Sequence, residues 1–466
     1  MTLSDDTVEP LSPAVPSPPH RRDGRPLLVR LHFYAGVLVG PFLIVAALTG
    51  ALYALAPSIE GVVYRDLLSV DARPPIPLDE QVQRARADHP DLQVSSIRPA
   101  PSMGDTTRVS FADPALPQDH SRTVFVDPGT GRILGEENTW LGYLPVSTWL
   151  DGLHRHLNLG EPGRIYSEIA ASWLWVVALG GTALWVSKAT RDRRRGRRGR
   201  IVSVDRSATG RTRTMNWHGA TGIWLLAGLL FLSATGITWS TYAGAHVTEI
   251  RSAFNWQRPQ VNTESLDPHA AHHAGATADA GTVDYSGLVA AAAAHGVHAP
   301  VEITMPAEPG QAAIVSEIDA PFRLTTNVAA VNPGDLSIAG VVDYWRDYST
   351  MAKLADWGIR AHMGFLFGLL NQLLLLAVAA GLLTVIVRGY RMWWQRRPTR
   401  GSAWALGRPP ARGGLRSVGP SVAALVVVGA VAVGWFLPLL GWTLAGFVLL
   451  DVLVGWRKRR TESRSL

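Results

Sequence analysis

The 466-residue chain contains no cysteine. This absence excludes disulfides, thiolate metal sites, cysteine-ligated iron–sulfur clusters and the Cys-x-x-Cys-His attachment of c-type haem. The sequence also lacks a glycine-rich dinucleotide fingerprint after a strand, a phosphate-binding loop and an HExxH-type motif. We therefore expect neither a built-in nicotinamide site nor a metallohydrolase.

Charged residues are scarce in several apolar runs of the chain. Each run has about 20 residues or more and can cross the ~30 Å hydrocarbon core as a helix. We predict six spans: four at residues 29–56, 165–187, 217–242 and 362–388, and two in a hairpin over residues 420–456. Pro41 is expected to kink the first span, and Pro438 joins the two halves of the hairpin. No cleavage site follows the first run, so we expect it to remain as a signal anchor.

Four segments rich in arginine and lysine flank the predicted spans, and all four fall on the same side if there are six spans. They precede the first span, follow the fourth, fill residues 191–200 between the second and third, and recur at residues 457–460. Positively charged flanks stay in the cytoplasm. We therefore expect cytoplasmic segments at residues 1–28 (disordered), 188–216, 389–419 and 457–466, and extracytoplasmic lobes at residues 57–164 and 243–361. The net charge of +7 then indicates topology in a bacterial-type inner membrane and contact with lipid, not nucleic-acid binding.

The chain repeats one pattern of residues. The first and third spans share a histidine, glycines at +4 and +18, a threonine at +17 and an aromatic residue at +21. These residues are His32, Gly36, Thr49, Gly50 and Tyr53 in the first copy, and His218, Gly222, Thr235, Gly236 and Trp239 in the second. The second and fourth spans share His154, Gly160, Gly181 and Trp185 with His362, Gly368, Gly389 and Trp393. The fold class predicted from this repeat is a membrane all-α bundle, with a four-helix core from two copies plus a C-terminal hairpin.

The two extracytoplasmic segments also resemble each other. Residues 78–89 and 285–295 have helical periodicity, and residues 107–111 and 311–316 are strand-like. A Pro-Gly turn between short strands follows in both segments, at residues 126–135 and 331–340. We predict two separate α+β lobes, each with one helix on an antiparallel sheet, and a flexible insertion at residues 262–282.

Four of the 14 histidines occupy equivalent positions in the repeat, at or just outside the start of a span. An imidazole near apolar helix surface is costly without a partner, so such residues suggest function. The chain offers no thiolate and no carboxylate near the middle of a span, which leaves a metal cluster poorly supported. Two imidazoles in an apolar bundle suit b-type haem, which takes an axial histidine on each face. We predict two haem b groups.

Depth in the membrane predicts how the histidines pair. His32 meets His218 at the cytoplasmic side, and His154 meets His362 at the outer side. Gly36 and Gly222 lie one turn after their histidines, and Gly50 and Gly236 lie on the same face about 27 Å deeper. These glycines are expected to leave room for flat cofactors at two depths.

Other interpretations of these residues remain open. An interfacial histidine can cap a helix, and small residues at helical spacing can mark tight helix packing. His156 is a rival ligand to His154. The cluster of His269, His272 and His273 can bind a metal or belong to a solvated loop.

With these motifs, residues 25–397 resemble the PepSY-associated transmembrane family, also called iron-regulated membrane proteins. The matching stretches are residues 31–36 (LHFYAG), 153–163 (LHRHLNLGEPG), 217–222 (WHGATG), 362–364 (HMG) and 389–394 (GYRMWW). The resemblance implies that both lobes are PepSY-like domains. Some members are di-haem inner-membrane reductases that release iron from ferric siderophores, and the resemblance implies that activity.

The first functional hypothesis is a transmembrane electron-transfer protein with two haems. The donor is expected to be a separate cytoplasmic reductase or a membrane quinol, and the acceptor a ferric siderophore or another oxidised metal chelate. The second hypothesis is a non-redox, membrane-anchored PepSY regulatory or binding protein. The third is handling of haem or metal without redox turnover.

Overall fold

The computed structural model describes residues 24–264, 283–308, 310–396, 410 and 418–462. The elements of the first half are α1 (Arg25–Ala54), α2 (Ala56–Val63), α3 (Arg65–Leu68), α4 (Leu78–Asp88), β1 (Gln93–Arg98), β2 (Thr107–Ala112), β3 (His120–Val126), β4 (Ile133–Trp140), α5 (Pro145–His156) and α6 (Glu161–Arg194). The second half has α7 (Gly210–Thr238), α8 (Tyr242–Ala253), α9 (Tyr285–Ala293), β5 (Val301–Thr304), β6 (Ala313–Glu317), β7 (Val328–Val331), β8 (Ile338–Val342), α10 (Tyr344–Asp347), α11 (Thr350–Met363), α12 (Gly368–Trp394), α13 (Pro420–Phe436) and α14 (Pro438–Glu462).

Four long apolar helices pack side by side. Helix α1 contacts α6 and α12, and α7 contacts the same two helices from the other side. Leu43, Leu174, Leu229 and Leu382 are buried between them. Large apolar side chains such as Leu370 remain exposed on the outer surface, as expected for helices that face lipid.

Among the described residues, five helices are long and apolar enough to cross a membrane: α1, α6, α7, α12 and residues Pro438–Arg457 of α14. The remaining apolar helix, α13, has 17 residues, which at 1.5 Å per residue gives about 25 Å. The chain is therefore a membrane protein by the length and composition of these helices. The prediction had six spans, and α13 is the one at the lower limit of length.

The fourth span begins later than predicted. Helix α11 ends at Met363, because Gly364 caps it with a left-handed backbone (φ 90°). Helix α12 then starts at Gly368, so His362 lies in the helix before the span and not at its first residue. His154 is placed similarly in α5. That helix ends at His156 and is capped by Leu157, which has a left-handed backbone (φ 54°), before α6 begins.

Several other predicted boundaries shift because the long helices extend beyond their apolar windows. Helix α1 starts at Arg25, α6 runs to Arg194 and α7 starts at Gly210, so both basic flanks are partly helical. Most of the predicted N-terminal tail, most of the segment after α12 and the cluster of His269, His272 and His273 lie outside the described residues.

The eight strands form one antiparallel sheet in the order β4-β3-β2-β1-β5-β6-β7-β8. The strands of the two predicted α+β lobes are thus joined in a single sheet. Strands β1 and β5 pair through Ser96 with Thr304 and Ile97 with Ile303. This pairing removes two strand edges whose backbone groups would otherwise need another partner.

One apolar core underlies both halves of the sheet. Helices α4 and α9 cover the same face, where Val82 and Leu288 pack with Ile97, Ile303 and Val315. All five side chains are fully buried. The two α+β units therefore share one hydrophobic core and make a single extramembrane layer.

The C-terminal hairpin of α13 and α14 docks on the bundle. Trp173 of α6 donates from Nε1 to Thr443 Oγ1 at 2.8 Å. At the opposite end of the hairpin, Arg30 of α1 forms an ion pair with Asp451 of α14. Within the hairpin, Gly434 lies against Gly441, where a Cβ on either residue would meet backbone atoms. The first two contacts attach the hairpin to the bundle helices α6 and α1.

Candidate histidine-pair site

The four repeat-equivalent histidines meet as two pairs. The sheet-end pair, His154 with His362, has ring centroids 6.3 Å apart at an interplanar angle of 47°. The remote pair, His32 with His218, has the same separation of 6.3 Å at 72°. Thr49, which contacts His154, follows His32 by 17 residues on α1, so the pairs lie about 25 Å apart along the bundle.

The ring separation suits one metal ion between each pair. An imidazole nitrogen binds a metal at about 2 Å, and the ring centre lies about 1 Å further, so two axial rings on one ion sit about 6 Å apart. Both pairs have this spacing. Direct stacking of two imidazoles at van der Waals contact would bring the rings closer together.

At the sheet-end pair, threonine hydroxyls hold both rings. Thr49 Oγ1 lies 3.0 Å from His154 Nδ1 and 2.8 Å from the Val45 carbonyl oxygen. A carbonyl only accepts, so the hydroxyl donates its proton there and accepts from the imidazole. His154 therefore carries its proton on Nδ1 and presents a bare lone pair on Nε2.

The second threonine repeats this arrangement on α7. Thr235 Oγ1 donates to the Phe231 carbonyl at 2.7 Å and accepts from His362 Nδ1 at 2.5 Å. Ligating histidines typically donate their other ring N–H to an acceptor that orients the ring. The two threonines do this for the sheet-end pair, leaving Nε2 for a ligand.

At the remote pair, a backbone carbonyl takes the place of the threonine for one of the two rings. His218 Nδ1 donates to the Val385 carbonyl at 2.9 Å, which again leaves Nε2 unprotonated. The Nδ1 of His32 is buried and has no hydrogen-bond partner among the described residues. Val177 and Val385 each precede an equivalent glycine, Gly181 or Gly389, by one turn.

Glycines let the imidazoles lie directly on neighbouring helices. A Cβ on Gly50 would be 3.0 Å from His154 Cε1, and one on Gly181 would be 2.8 Å from His32 Cε1. Such contacts are tighter than side chains normally make. Glycine is therefore required at these two positions for the rings to keep their place. The equivalent glycines lie slightly further from their rings, with Gly236 3.8 Å from His362 and Gly389 3.6 Å from His218.

Gly36 and Gly222, predicted to adjoin a cofactor, face open space. A Cβ on either would have no neighbouring atom within 4 Å among the described residues. Each lies one turn beyond its histidine on the same helix face. Both helices of the remote pair are therefore open at the turn that follows the histidine.

A cavity of about 190 Å³ surrounds the sheet-end pair. His154 and His362 both line it, and its other walls are mostly apolar, with Leu43, Leu174 and Leu382 from three helices. We call it the apolar cavity. Both rings remain half-buried because they face this cavity and are not packed against side chains on all sides.

A second, polar cavity of about 470 Å³ adjoins the first between the bundle and the sheet. The residues that line both cavities are Tyr53, Asp151, Arg155, Trp239 and Met363. Deeper in the polar cavity, Arg360 forms ion pairs with Asp319 at 2.6 Å and with Asp356 at 3.3 Å. The polar cavity thus leads from the sheet directly to the sheet-end pair.

Burial affects the acids of the polar cavity. It raises the pKa of the Asp151 carboxyl above its ordinary value, partly opposed by Arg155. It likewise raises the pKa of Asp356, against the effect of Arg360. Burial also raises the pKa of the Tyr143 phenol to about 12. These shifts show that the cavity is poorly solvated.

His156, the rival ligand, does not join a histidine pair. It lies in the last turn of α5, and its Nδ1 is buried without a hydrogen-bond partner in the described part of the chain. The ring that faces His362 belongs to His154. Among the described residues there is no group of three or more His, Asp or Glu side chains that could hold a metal ion.

The contacts that the repeated threonines and two of the repeated glycines make with the imidazoles were not predicted from the sequence. Thr49, Thr235, Gly181 and Gly389 were recognised only as repeat positions. Their identical offsets from equivalent histidines were the signal, since a threonine that recurs with a histidine pattern is a candidate hydrogen-bond acceptor.

A family model described as PepSY-associated TM region matches residues 29–396. None of the curated proteins compared with the chain matches it. The matched range contains both histidine pairs and the whole sheet, and it ends before the C-terminal hairpin.

Proposed function

Because the chain belongs to the PepSY-associated TM region family, we propose that it binds two haem b groups and carries electrons across a membrane. One haem is held by the remote pair, the other by the sheet-end pair. The observation that carries this proposal is the separation of 6.3 Å in both pairs, combined with the Nδ1 hydrogen bonds of His154, His218 and His362, which leave Nε2 of these three rings free. A cofactor with one metal ion and two open axial positions matches that geometry.

The chain's own residues would bind and orient the cofactor. Thr49 and Thr235 fix the imidazole tautomers, and leucines of the apolar cavity exclude water. Open space beside Gly36 and Gly222 accommodates a flat ring. When bound, haem supplies reversible one-electron chemistry, whose potential depends on axial ligands, hydrogen bonds and burial.

The proposed topology puts the remote pair at the cytoplasmic side. Arginine-rich segments follow α6 and precede α1 at the bundle end that holds this pair. The sheet then lies on the extracytoplasmic face of an inner membrane.

We further propose that α13 and α14 both cross the membrane, giving six spans, and that the four-helix core arose from two copies of one unit. The matched roles of Thr49 and Thr235 support the duplication.

Electrons are proposed to enter at the remote pair and leave at the sheet-end pair. The sequence has no dinucleotide fingerprint, so the donor is a separate reductase or a membrane quinol. The acceptor is proposed to be a ferric siderophore or a similar oxidised metal chelate that docks in the polar cavity. That cavity supports the direction because Arg155 and Trp239 line both it and the apolar cavity.

The test is a visible absorption spectrum of the detergent-purified protein, before and after dithionite, with haem quantified per chain. We expect low-spin b-type bands and two haems. His154→Ala and His362→Ala should each lose about half the haem, because each removes an axial ligand from one site only.

His156→Ala and His120→Ala serve as matched controls. The first removes the rival ligand and the second a half-buried histidine of the sheet that lines neither cavity, so both should keep two haems. Adding imidazole to His362→Gly should restore the lost absorption. A colourless wild-type protein would overturn the proposal and favour a non-redox anchored binding protein. Loss of haem in His156→Ala but not in His154→Ala would overturn the assigned ligands.

A further inference from the structure

Three arginines place a buried Nε in the protein without a hydrogen-bond partner among the described residues: Arg155, Arg211 and Arg388. Arg155 follows His154 directly in α5. Arg388 precedes Gly389, the glycine that lies against His218. Each histidine pair therefore has an arginine beside it whose Nε has no hydrogen-bond partner among the described residues.

At the remote pair, Arg388 stacks its guanidinium over Trp217, with Cζ 5.0 Å from the ring centroid. It forms no ion pair with a described carboxylate. Arg211 precedes His218 by seven residues, two turns along the same face of α7. The like charge of Arg211 adds to the effect of burial in lowering the pKa of Arg396. Several cations thus gather at this end of the bundle, next to an imidazole pair.

At the sheet-end pair, Arg155 repeats the arrangement. Its Cζ lies 5.3 Å from the centroid of Trp140, and one terminal nitrogen forms an ion pair with Asp151 at 3.3 Å. The Nε edge remains unpaired. Arg155 and Arg164 both line the apolar cavity with His154 and His362, and Arg164 has no ion-pair partner in the described part of the chain.

A buried guanidinium Nε–H without a hydrogen-bond acceptor is costly unless a further group compensates it. A tryptophan face supplies part of that compensation, but it leaves the N–H edge of the guanidinium free. That planar edge matches a carboxylate, which accepts two parallel hydrogen bonds from it. Haem carries two such carboxylates, its propionates, on one edge of an otherwise apolar ring.

We propose that these arginines bind the haem propionates: Arg388 with Arg211 at the remote pair, and Arg155 with Arg164 at the sheet-end pair. The inference rests on the proposed function. It also predicts how each haem is oriented, because the edge of the porphyrin that carries the propionates must face the arginines. At the sheet-end site this edge points to the polar cavity, where the proposed acceptor docks.

The first experiment is a redox titration of the detergent-purified, haem-loaded protein, followed by absorption. Arg155→Gln should lower the midpoint potential of the sheet-end haem only, and Arg388→Gln that of the remote haem only. A cation beside the ring stabilises the reduced form, which carries one more negative charge. His362→Ala and His218→Ala, each retaining one haem, assign the two potentials.

Lys353→Gln is the matched control. Lys353 also stacks on a tryptophan, Trp345, at 5.4 Å, and lies on α11 with His362, yet it does not line either cavity. Its removal should leave both potentials unchanged. Equal shifts in Lys353→Gln and Arg155→Gln would contradict a specific role for the arginine.

The second experiment distinguishes propionate from an anionic lipid headgroup. Protein produced without haem is reconstituted with haem or with haem dimethyl ester, whose propionates carry no charge. If Arg155 and Arg388 bind propionates, esterification and the glutamine substitutions should be non-additive, so the ester lowers affinity in wild type more than in the variants. Fully additive losses would overturn the proposal. Failure of the wild type to bind haem would instead refute the proposed function.

Discussion

Thr235 accepts a hydrogen bond from His362 Nδ1 at 2.5 Å while it donates to the Phe231 carbonyl at 2.7 Å. The relationship between Thr235 and His362 determines which ring nitrogen is free, and Thr49 repeats it with His154. A threonine hydroxyl inside an apolar helix usually donates a hydrogen bond to a backbone carbonyl of the preceding turn. Here the same oxygen also orients an imidazole from another helix, so one side chain serves both the helix and the site.

Thr235→Val should weaken haem binding at the sheet-end pair by about 10- to 100-fold. This is the usual effect of removing the residue that hydrogen-bonds to a metal-ligating histidine. Valine has the shape of threonine but cannot accept from Nδ1. The measurement is the rate and extent of haem transfer to an apo-globin competitor. Thr235→Ser keeps the hydroxyl and should retain most of the affinity. Equal losses in both variants would show that packing, not the hydrogen bond, is responsible.

Gly222→Leu should reduce haem at the remote pair to near zero without unfolding the protein. An added Cβ at this position meets no described atom within 4 Å, so the fold should tolerate leucine, whose side chain would enter volume that a cofactor ring needs. Haem content per chain and the thermal unfolding midpoint are measured together. Gly228→Leu is a control for steric disruption, because a Cβ there already lies 3.1 Å from Val378 and the substitution should destabilise the fold. Full haem content in Gly222→Leu would contradict a cofactor beside this glycine.

Asp451→Leu should destabilise the protein by about 3–5 kcal/mol, because it leaves Arg30 buried without its ion-pair partner. Thermal unfolding in detergent, followed by circular dichroism, measures the effect. The double variant Arg30→Met with Asp451→Leu removes both charges and should recover most of the loss. A double variant no more stable than Asp451→Leu would show that the pair is not the main attachment of the hairpin.

A reporter fused after residue 466 should be active in the cytoplasm, as should one fused before residue 1. Six crossings require this result, and α13 is the helix that decides it, since its 17 residues are near the lower limit for a span. Deleting residues 420–437 should move the C-terminal reporter to the other side. Opposite locations of the two ends in the intact chain would reduce the number of spans to five.

The family resemblance expected from the sequence is confirmed by the match over residues 29–396. The apolar runs also predicted the bundle helices closely, because a membrane span depends on the length and composition of one continuous segment. Strands such as β2 and helices such as α4 followed from local periodicity for the same reason. The pairing of the histidines was predicted from depth alone, and the structure brings the same rings together; their role as haem ligands stays a prediction.

Tertiary structure alone decided how distant segments meet. Strand β1 pairs with β5 across some 200 residues, so two apparent lobes share one sheet, and no local pattern specifies that partner. The hydrogen bond from His154 to Thr49, the stacking of Arg388 on Trp217 and the docking of Asp451 on Arg30 likewise join different helices. The sequence by itself determined which segments are apolar, helical or extended, because those properties arise within a few turns of chain. Packing between segments determined the site, because side-chain contacts depend on how whole helices are placed against one another.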